Sequence, residues 1–291
     1  MLWYRVYSYY RTLLNSRYNV RHDKVHFHSV LSSSKSADLS ERIVNGLVTK
    51  FTKPKVLRVL DCFEKFQKGE IIDRVLNFDI KTELDKAHNR QQANCWIEGL
   101  TPITFHDIHN GKFPWAVALE KKWHIVQEEL INYLKTTSVN LTPDSQSWLT
   151  ARNDGAGQAY GPQWKTLGLQ DRGAWDGENV KDFPRTIKLL QDLQVPSCEV
   201  FFASQDAHSG IKPHSDLNNF ILTSHLAIQT QPDKAWIRVG DETRYWENGK
   251  VLAFDTSIFH STQNDADNNR YVLMIRFWHP DLTQEESEGL Q

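Results

Sequence analysis

The chain is short of cysteine, of net charge and of long apolar runs. Its three cysteines, Cys62, Cys95 and Cys198, are odd in number and scattered. They form neither a metal-ligand spacing nor a disulfide framework, and such usage fits a reducing, intracellular compartment. A formal net charge of −2 supplies no field to draw in nucleic acid or an anionic membrane surface. No stretch approaches the ~20 apolar residues of a membrane span. No repeat or second module is visible that would dock a protein substrate. The expected partner is therefore a small molecule, with no nucleic acid and no membrane span, and the expected state is a monomer.

What is present supports a packed domain. The chain has 291 residues, 40% of them apolar, enough for one large domain or a domain plus an extension. Residues 1–38 stand apart. They carry Arg5, Arg11, Arg17, Arg21 and Lys24 against only Asp23 and Asp38. That pattern resembles a plastid or mitochondrial transit peptide. The alternative is an amphipathic helix packed on the domain of a cytoplasmic protein. Residues 39–102 read as a helical extension, with Asp38 and Ser40 as N-caps of the first helix and apolar side chains spaced along 56–66. Residues 103–282 read as the core domain and 283–291 as a tail.

Within the core domain, the helical pattern is strongest over 114–135, entered at Pro114, and shorter over 183–193. The stretch 150–180, rich in Gly, Asn and Asp, reads as loop and irregular strand. Strands follow at 198–204, 220–229, 235–240, 251–255 and 271–278, where apolar residues alternate or run together. The segment GDETRYWENGK reads as a polar turn. The fold class is mainly β with flanking helices, built around a barrel.

The chemistry lies in IKPHSDLNNF and AFDTSIFHSTQNDADNNRYVLMIRFWHP. His214 and Asp216 form an H-x-D pair, which an extended strand would point to one side. His260 follows on a later strand, and Arg270 lies ten residues beyond it. Two imidazoles and a carboxylate can occupy one face of an iron octahedron and leave three positions open. An arginine can then hold the far carboxylate of an acid co-substrate. The set reads as Fe(II) on His214, Asp216 and His260, with Arg270 on 2-oxoglutarate and O2 as the second co-substrate. The same donors also suit zinc. His106, Asp107 and His109 make a second cluster, which reads as a polar turn ahead of the helix.

These segments resemble the aspartyl/asparaginyl β-hydroxylase family of 2-oxoglutarate oxygenases, a grouping that includes free-proline hydroxylases. The likeness is strongest over 200–282 and extends from about 103. It implies a double-stranded β-helix, or jelly-roll, core and a dioxygenase that releases succinate and CO2. On the family pattern His214 and His260 match the iron ligands, Arg270 the 2-oxoglutarate arginine, and His225 a histidine beside the co-substrate. A family serine that assists the co-substrate falls at Ala203–Ser204, and Ser204 is the residue it implies. Vertebrate members have Gly at the position of Asp216 and Arg at that of Thr223, so this chain is more like the three-ligand members. The expected reaction is C–H oxidation of a small amino acid or derivative, by hydroxylation, cyclisation or desaturation. Asn218, Asn219, Thr223, Arg238 and Arg276 are the candidate substrate contacts. Two alternatives remain: hydroxylation of Asp or Asn within a protein, and a non-catalytic jelly roll that binds a small acid.

Overall fold

A computed structural model describes residues 34–76, 82–139, 148–150 and 159–291. The basic stretch read as a transit peptide lies almost wholly outside the described residues. In chain order the elements are helix α1 (Ser34–Phe51), a 3-10 turn (Lys53–Val56), α2 (Leu57–Gln67), β1 (Ile72–Val75), α3 (Glu83–His88), β2 (Arg90–Cys95) and β3 (Phe105–His106). Then come α4 (Pro114–Lys121), α5 (Trp123–Val139), β4 (Leu149–Thr150), β5 (Trp164–Asp171), β6 (Ala174–Trp175), α6 (Pro184–Asp192), β7 (Ser197–Gln205), β8 (Ser209–His214) and β9 (Leu217–Asn218). The chain closes with β10 (Ile221–Gln229), β11 (Ala235–Val239), β12 (Glu242–Tyr245), β13 (Val251–Phe254), β14 (His260–Asn264), β15 (Arg270–Trp278) and α7 (Gln284–Leu290).

Among the described residues the core is two facing antiparallel sheets, a jelly roll. The larger runs β3-β13-β10-β15-β7-β5-β4, and the smaller runs β12-β11-β14-β8. Strand alternation decides what each face buries. The inward residues Ala203, Ala227 and Val272 meet Ala235, Ile237 and Val239 of the smaller sheet. The outward residues Val200, Phe202, Leu222, Leu226, Leu273 and Ile275 are covered by Trp115, Leu119, Val126, Leu130 and Ile187 of the three flanking helices. Each large side chain buried there contributes about 1.5–3 kcal/mol.

The extension packs on the same framework through a third cluster. Ile43, Leu47, Val59, Phe63 and Phe66 meet Cys95, Phe220, Ile221 and Leu290. Three expectations need correction here. Helix α1 already runs from Ser34, so Asp38 and Ser40 lie within it rather than capping it. The extension also holds two strands, since β1 pairs with β2 and β2 runs parallel to β9. The tail is the helix α7, opened by a capping box between Thr283 and Glu286, and its Leu290 is fully buried. Arg58 fastens it, donating from Nε and Nη2 to the two Glu286 carboxylate oxygens at 2.7 and 2.5 Å. Two further differences lie in the barrel itself. The irregular stretch contains β5, bonded along β7, and the polar turn contains β12, an edge strand on β11. No helix among the described residues is long and apolar enough to cross a membrane.

Candidate metal centre

Two neighbouring strands of the smaller sheet bring the histidines together. His214 ends β8 and His260 opens β14, and the two are paired across the ladder. Their ring centroids are 4.2 Å apart. Asp216 lies just past the end of β8, not on it as the H-x-D spacing suggested. Its backbone N–H is held by the Thr256 carbonyl at 2.8 Å, and Leu217 turns the chain at φ 63. The ligand-type atoms of His214, Asp216 and His260 all fall within 4.8 Å of one another. No other such cluster of three or more acidic, histidine or cysteine side chains occurs among the described residues.

The local backbone sets the imidazoles. His214 Nδ1 lies 2.8 Å from the Lys212 carbonyl, and His260 Nδ1 lies 2.9 Å from the Ile258 carbonyl. Each Nδ1–H is a donor there, which leaves each Nε2 with its lone pair for a metal. His214 Nε2 is buried without a hydrogen-bond partner and sits 4.0 Å from Asp216 Oδ1. Burial pushes the His260 imidazole down to about 4, with the neighbouring His214 adding to the effect. His260 is therefore neutral at physiological pH, the form that binds metal. An orphaned nitrogen beside a second imidazole and a buried carboxylate suits a divalent cation such as Fe(II).

An anion site lies beside this centre. Arg270 opens β15, is 1% exposed, and has no partner for Nε or Nη1. Burial pushes its pKa down to about 9, so it stays charged. Its guanidinium carbon stands 4.1 Å from the Trp246 ring centroid. A buried charge with unused donors is costly until an anion arrives. His225 stacks on the other part of this assembly, 5.7 Å from Trp246, and both ring nitrogens lack partners. Burial, and then the charge of Arg270, hold His225 well below its ordinary value, so it is neutral. Both residues line one cavity with His214, Asp216 and His260. The rest of its lining includes Trp164, Ala203, Ile211, Ile237, Phe254 and Met274.

Other expected site residues fall elsewhere. Ala203, not Ser204, lines the cavity, because alternation along β7 turns Ser204 to the outward face. Asn219 bonds both backbone groups of Ile97, at 2.8 and 3.0 Å. Asn218 accepts from the Ile221 N–H at 3.2 Å. Thr223 is fully buried opposite Arg276 and is not part of the cavity lining. Arg238 donates to Thr243 Oγ1 at 3.1 Å on the outer face of β11, whose cavity-facing residue is Ile237. Arg276 pairs with Glu199 and Asp216. None of these side chains is among the residues that line this cavity. His106 is likewise not a turn residue. It is buried in β3, 5.9 Å from the His279 ring, while Asp107 and His109 do form the expected turn.

Three residues of the site escaped the sequence reading. Tyr160 donates to Asp216 Oδ1 at 3.2 Å and lies 4.7 Å from the His214 ring. Trp164 opens β5, where the alternation of WKTLGLQ was the available signal. Trp246 carried no signal, since it follows an edge strand within a polar segment.

The family model described as aspartyl/asparaginyl beta-hydroxylase matches residues 120–280. The aspartyl/asparaginyl beta-hydroxylase of Mus musculus is 24% identical over 237 residues, 77% of this chain and 31% of that protein. The ornithine lipid ester-linked acyl 2-hydroxylase of Rhizobium tropici is 29% identical over 194 residues, 64% of this chain and 66% of that protein. The chain thus spans about a third of the length of the mouse and human hydroxylases it matches. A solved oxidoreductase of the 2OG-Fe(II) oxygenase family from Burkholderia pseudomallei superposes with a TM-score of 0.31 at 13% identity, over 42% of this chain and 69% of that one.

Proposed function

The chain belongs to the aspartyl/asparaginyl beta-hydroxylase family, and from that premise we propose that it is an Fe(II)- and 2-oxoglutarate-dependent hydroxylase. The observation that carries this reading is the joint placement of two sites in one cavity. One is a His-Asp-His cluster with a bare imidazole nitrogen, and the other is a buried arginine with bare donors.

His214, Asp216 and His260 would hold the metal, and Arg270 the distal carboxylate of 2-oxoglutarate. Iron with 2-oxoglutarate and O2 supplies the oxidising power for C–H chemistry, with succinate and CO2 as by-products. The protein orients and shields. Neutral His225 can accompany the co-substrate without competing with Arg270 for its charge. The Trp246 ring lies against the Arg270 guanidinium. Trp164, Ile237, Phe254 and Met274 keep the cavity dry, which strengthens each charge contact inside it.

For the substrate, the proposal is a small amino acid or derivative. Asp216 supports it through the likeness to three-ligand members, and Thr223 by standing where the vertebrate members have an arginine. A second reading has one observation in its favour. Arg270 is the one cation in the cavity lining among the described residues, and most of the rest is apolar or aromatic. That suits an aliphatic chain, as in the Rhizobium relative's name. A succinate-release screen decides between them, with free amino acids, their N-substituted derivatives, Asp- and Asn-containing peptides and acyl lipids as separate arms. Succinate with no arm above the uncoupled background, and no 2-oxoglutarate consumption, would reject the oxygenase reading altogether.

A further inference from the structure

We infer that Arg276 is a positioning residue for the metal centre, fixing Asp216 as a one-oxygen ligand. The inference rests on the metal-site reading above. Arg276 stands on β15 six residues beyond Arg270 and on the same inward face. Its side chain is 8% exposed and lies between two carboxylates. Nη1 donates to Glu199 Oε2 at 3.1 Å, and Nη2 is 3.4 Å from Asp216 Oδ2. Three strands in register build the arrangement. Thr223, Arg276 and Glu199 stand opposite one another across β10, β15 and β7.

The two oxygens of Asp216 therefore have different surroundings. Oδ2 faces the guanidinium. Oδ1 faces His214 Nε2 at 4.0 Å and accepts the Tyr160 hydroxyl at 3.2 Å. A carboxylate with one oxygen engaged by a guanidinium presents the other to a cation. The difference matters for the open coordination face. Two imidazoles and one carboxylate oxygen leave three of six octahedral positions for co-substrate and oxygen. A carboxylate binding through both oxygens would leave two. Glu199 anchors Arg276 at its second nitrogen, so the guanidinium does not swing into the cavity as a competing anion site beside Arg270.

The test is Mn(II) binding to the full chain, read from the loss of the free-ion electron paramagnetic resonance signal. Five proteins are compared: wild type, Arg276→Gln, Arg276→Lys, Asp216→Ala and the double variant Asp216→Ala/Arg276→Gln. Thermal unfolding monitors the fold. Arg276→Gln is expected to raise the Mn(II) Kd about 10- to 100-fold, the usual cost of losing a group that orients a ligand. Arg276→Lys keeps the charge without the fork and recovers part of the loss. In the Asp216→Ala background, Arg276→Gln has no further effect, because its partner is gone. Wild-type affinity in Arg276→Gln overturns the inference, and so does an equal loss in the Asp216→Ala background. A wild-type chain that fails to bind Mn(II) takes down the metal-site reading and this inference with it. If Arg276→Gln shows no cooperative unfolding, Glu199→Gln is read in the same assay. A raised Kd supports the inference and an unchanged one overturns it.

Discussion

Trp246 lies under Arg270, its ring centroid 4.1 Å from the guanidinium carbon, and Trp246 is fully buried. An aromatic face thus lies against a charge that has no carboxylate partner among the described residues. The pairing keeps Arg270 in place without consuming the donors that an incoming anion needs.

Arg270→Ala should raise the 2-oxoglutarate requirement steeply. Losing one partner of a buried charge pair costs ~2–5 kcal/mol, on the order of 30-fold or more in Kd at ~1.4 kcal/mol per decade. Trp246→Leu should act in the same direction but less, since a cation–π contact is worth ~0.5–2 kcal/mol. Equilibrium binding of 2-oxoglutarate to the Mn(II)-loaded protein measures both. Unchanged affinity in Arg270→Ala would place the distal carboxylate elsewhere.

Alanine at His214, Asp216 or His260 should abolish succinate release while the chain still unfolds cooperatively. None of the three belongs to the apolar clusters that hold the sheets and helices together. Near-full turnover by Asp216→Ala would make this a two-histidine member of the family.

Stability of the metal-free protein should fall as the pH drops from about 6.5 towards 4. Burial depresses four imidazoles in the folded state. His106 and His260 are pushed to about 4, His225 lies well below its ordinary value, and His279 is lowered. Below 6.5 the unfolded chain takes up protons that these folded sites refuse, so each contributes a loss, of at most about 1.4 kcal/mol per pH unit. Asp255 opposes them. Burial raises its carboxyl to about 7, so the folded chain holds a proton there that the unfolded chain releases above about 4. Four sites against one leaves a net acid destabilisation. Melting temperatures from pH 7.5 to 4.5 in chelator check the sign, and a flat profile would refute it.

Glu286→Gln should loosen the C-terminal helix from the extension. It weakens a two-bond contact from Arg58 and the carboxylate half of the capping box. Hydrogen bonds to charged groups contribute about 1.5–3 kcal/mol, which lowers the melting temperature by several degrees. Arg58→Ala should lower it by a similar amount, and the double variant by less than the sum.

The parts of the fold that could be read in advance are those where burial and apolarity coincide. Strands β10, β13 and β15 bury most of their positions, and their Val, Ile, Leu and Phe content announces them. Strand β2 does not. Its buried positions are Gln91, Ala93 and Cys95, and Gln91 is satisfied by donating to Ser257 Oγ and accepting from Arg74 Nε. Polar residues that find partners only after folding carry no apolar period. The site divides in the same way. His214, Asp216, His260 and Arg270 were legible because metal and anion chemistry demand those side chains. Ser204 and Ala203 differ by one step along a strand, and register alone decides which faces inward. Arg276 was legible as a charge on the inward face, but its partner Asp216 is sixty residues away in the chain. No local pattern specifies that contact.

Strand β15 is bonded on both edges over nearly its whole length, to β10 on one side and β7 on the other. Amide hydrogens held in this way exchange with solvent only through the largest opening events of a protein. Arg270 and Arg276 both ride on this strand, about 20 Å apart along the backbone at ~3.3 Å per residue. The two charges therefore keep their spacing over the lifetime of the folded state, far longer than a turnover. Loops and side chains around the cavity can open and close in each cycle, while the separation of these two arginine backbones is a fixed length against which the rest moves.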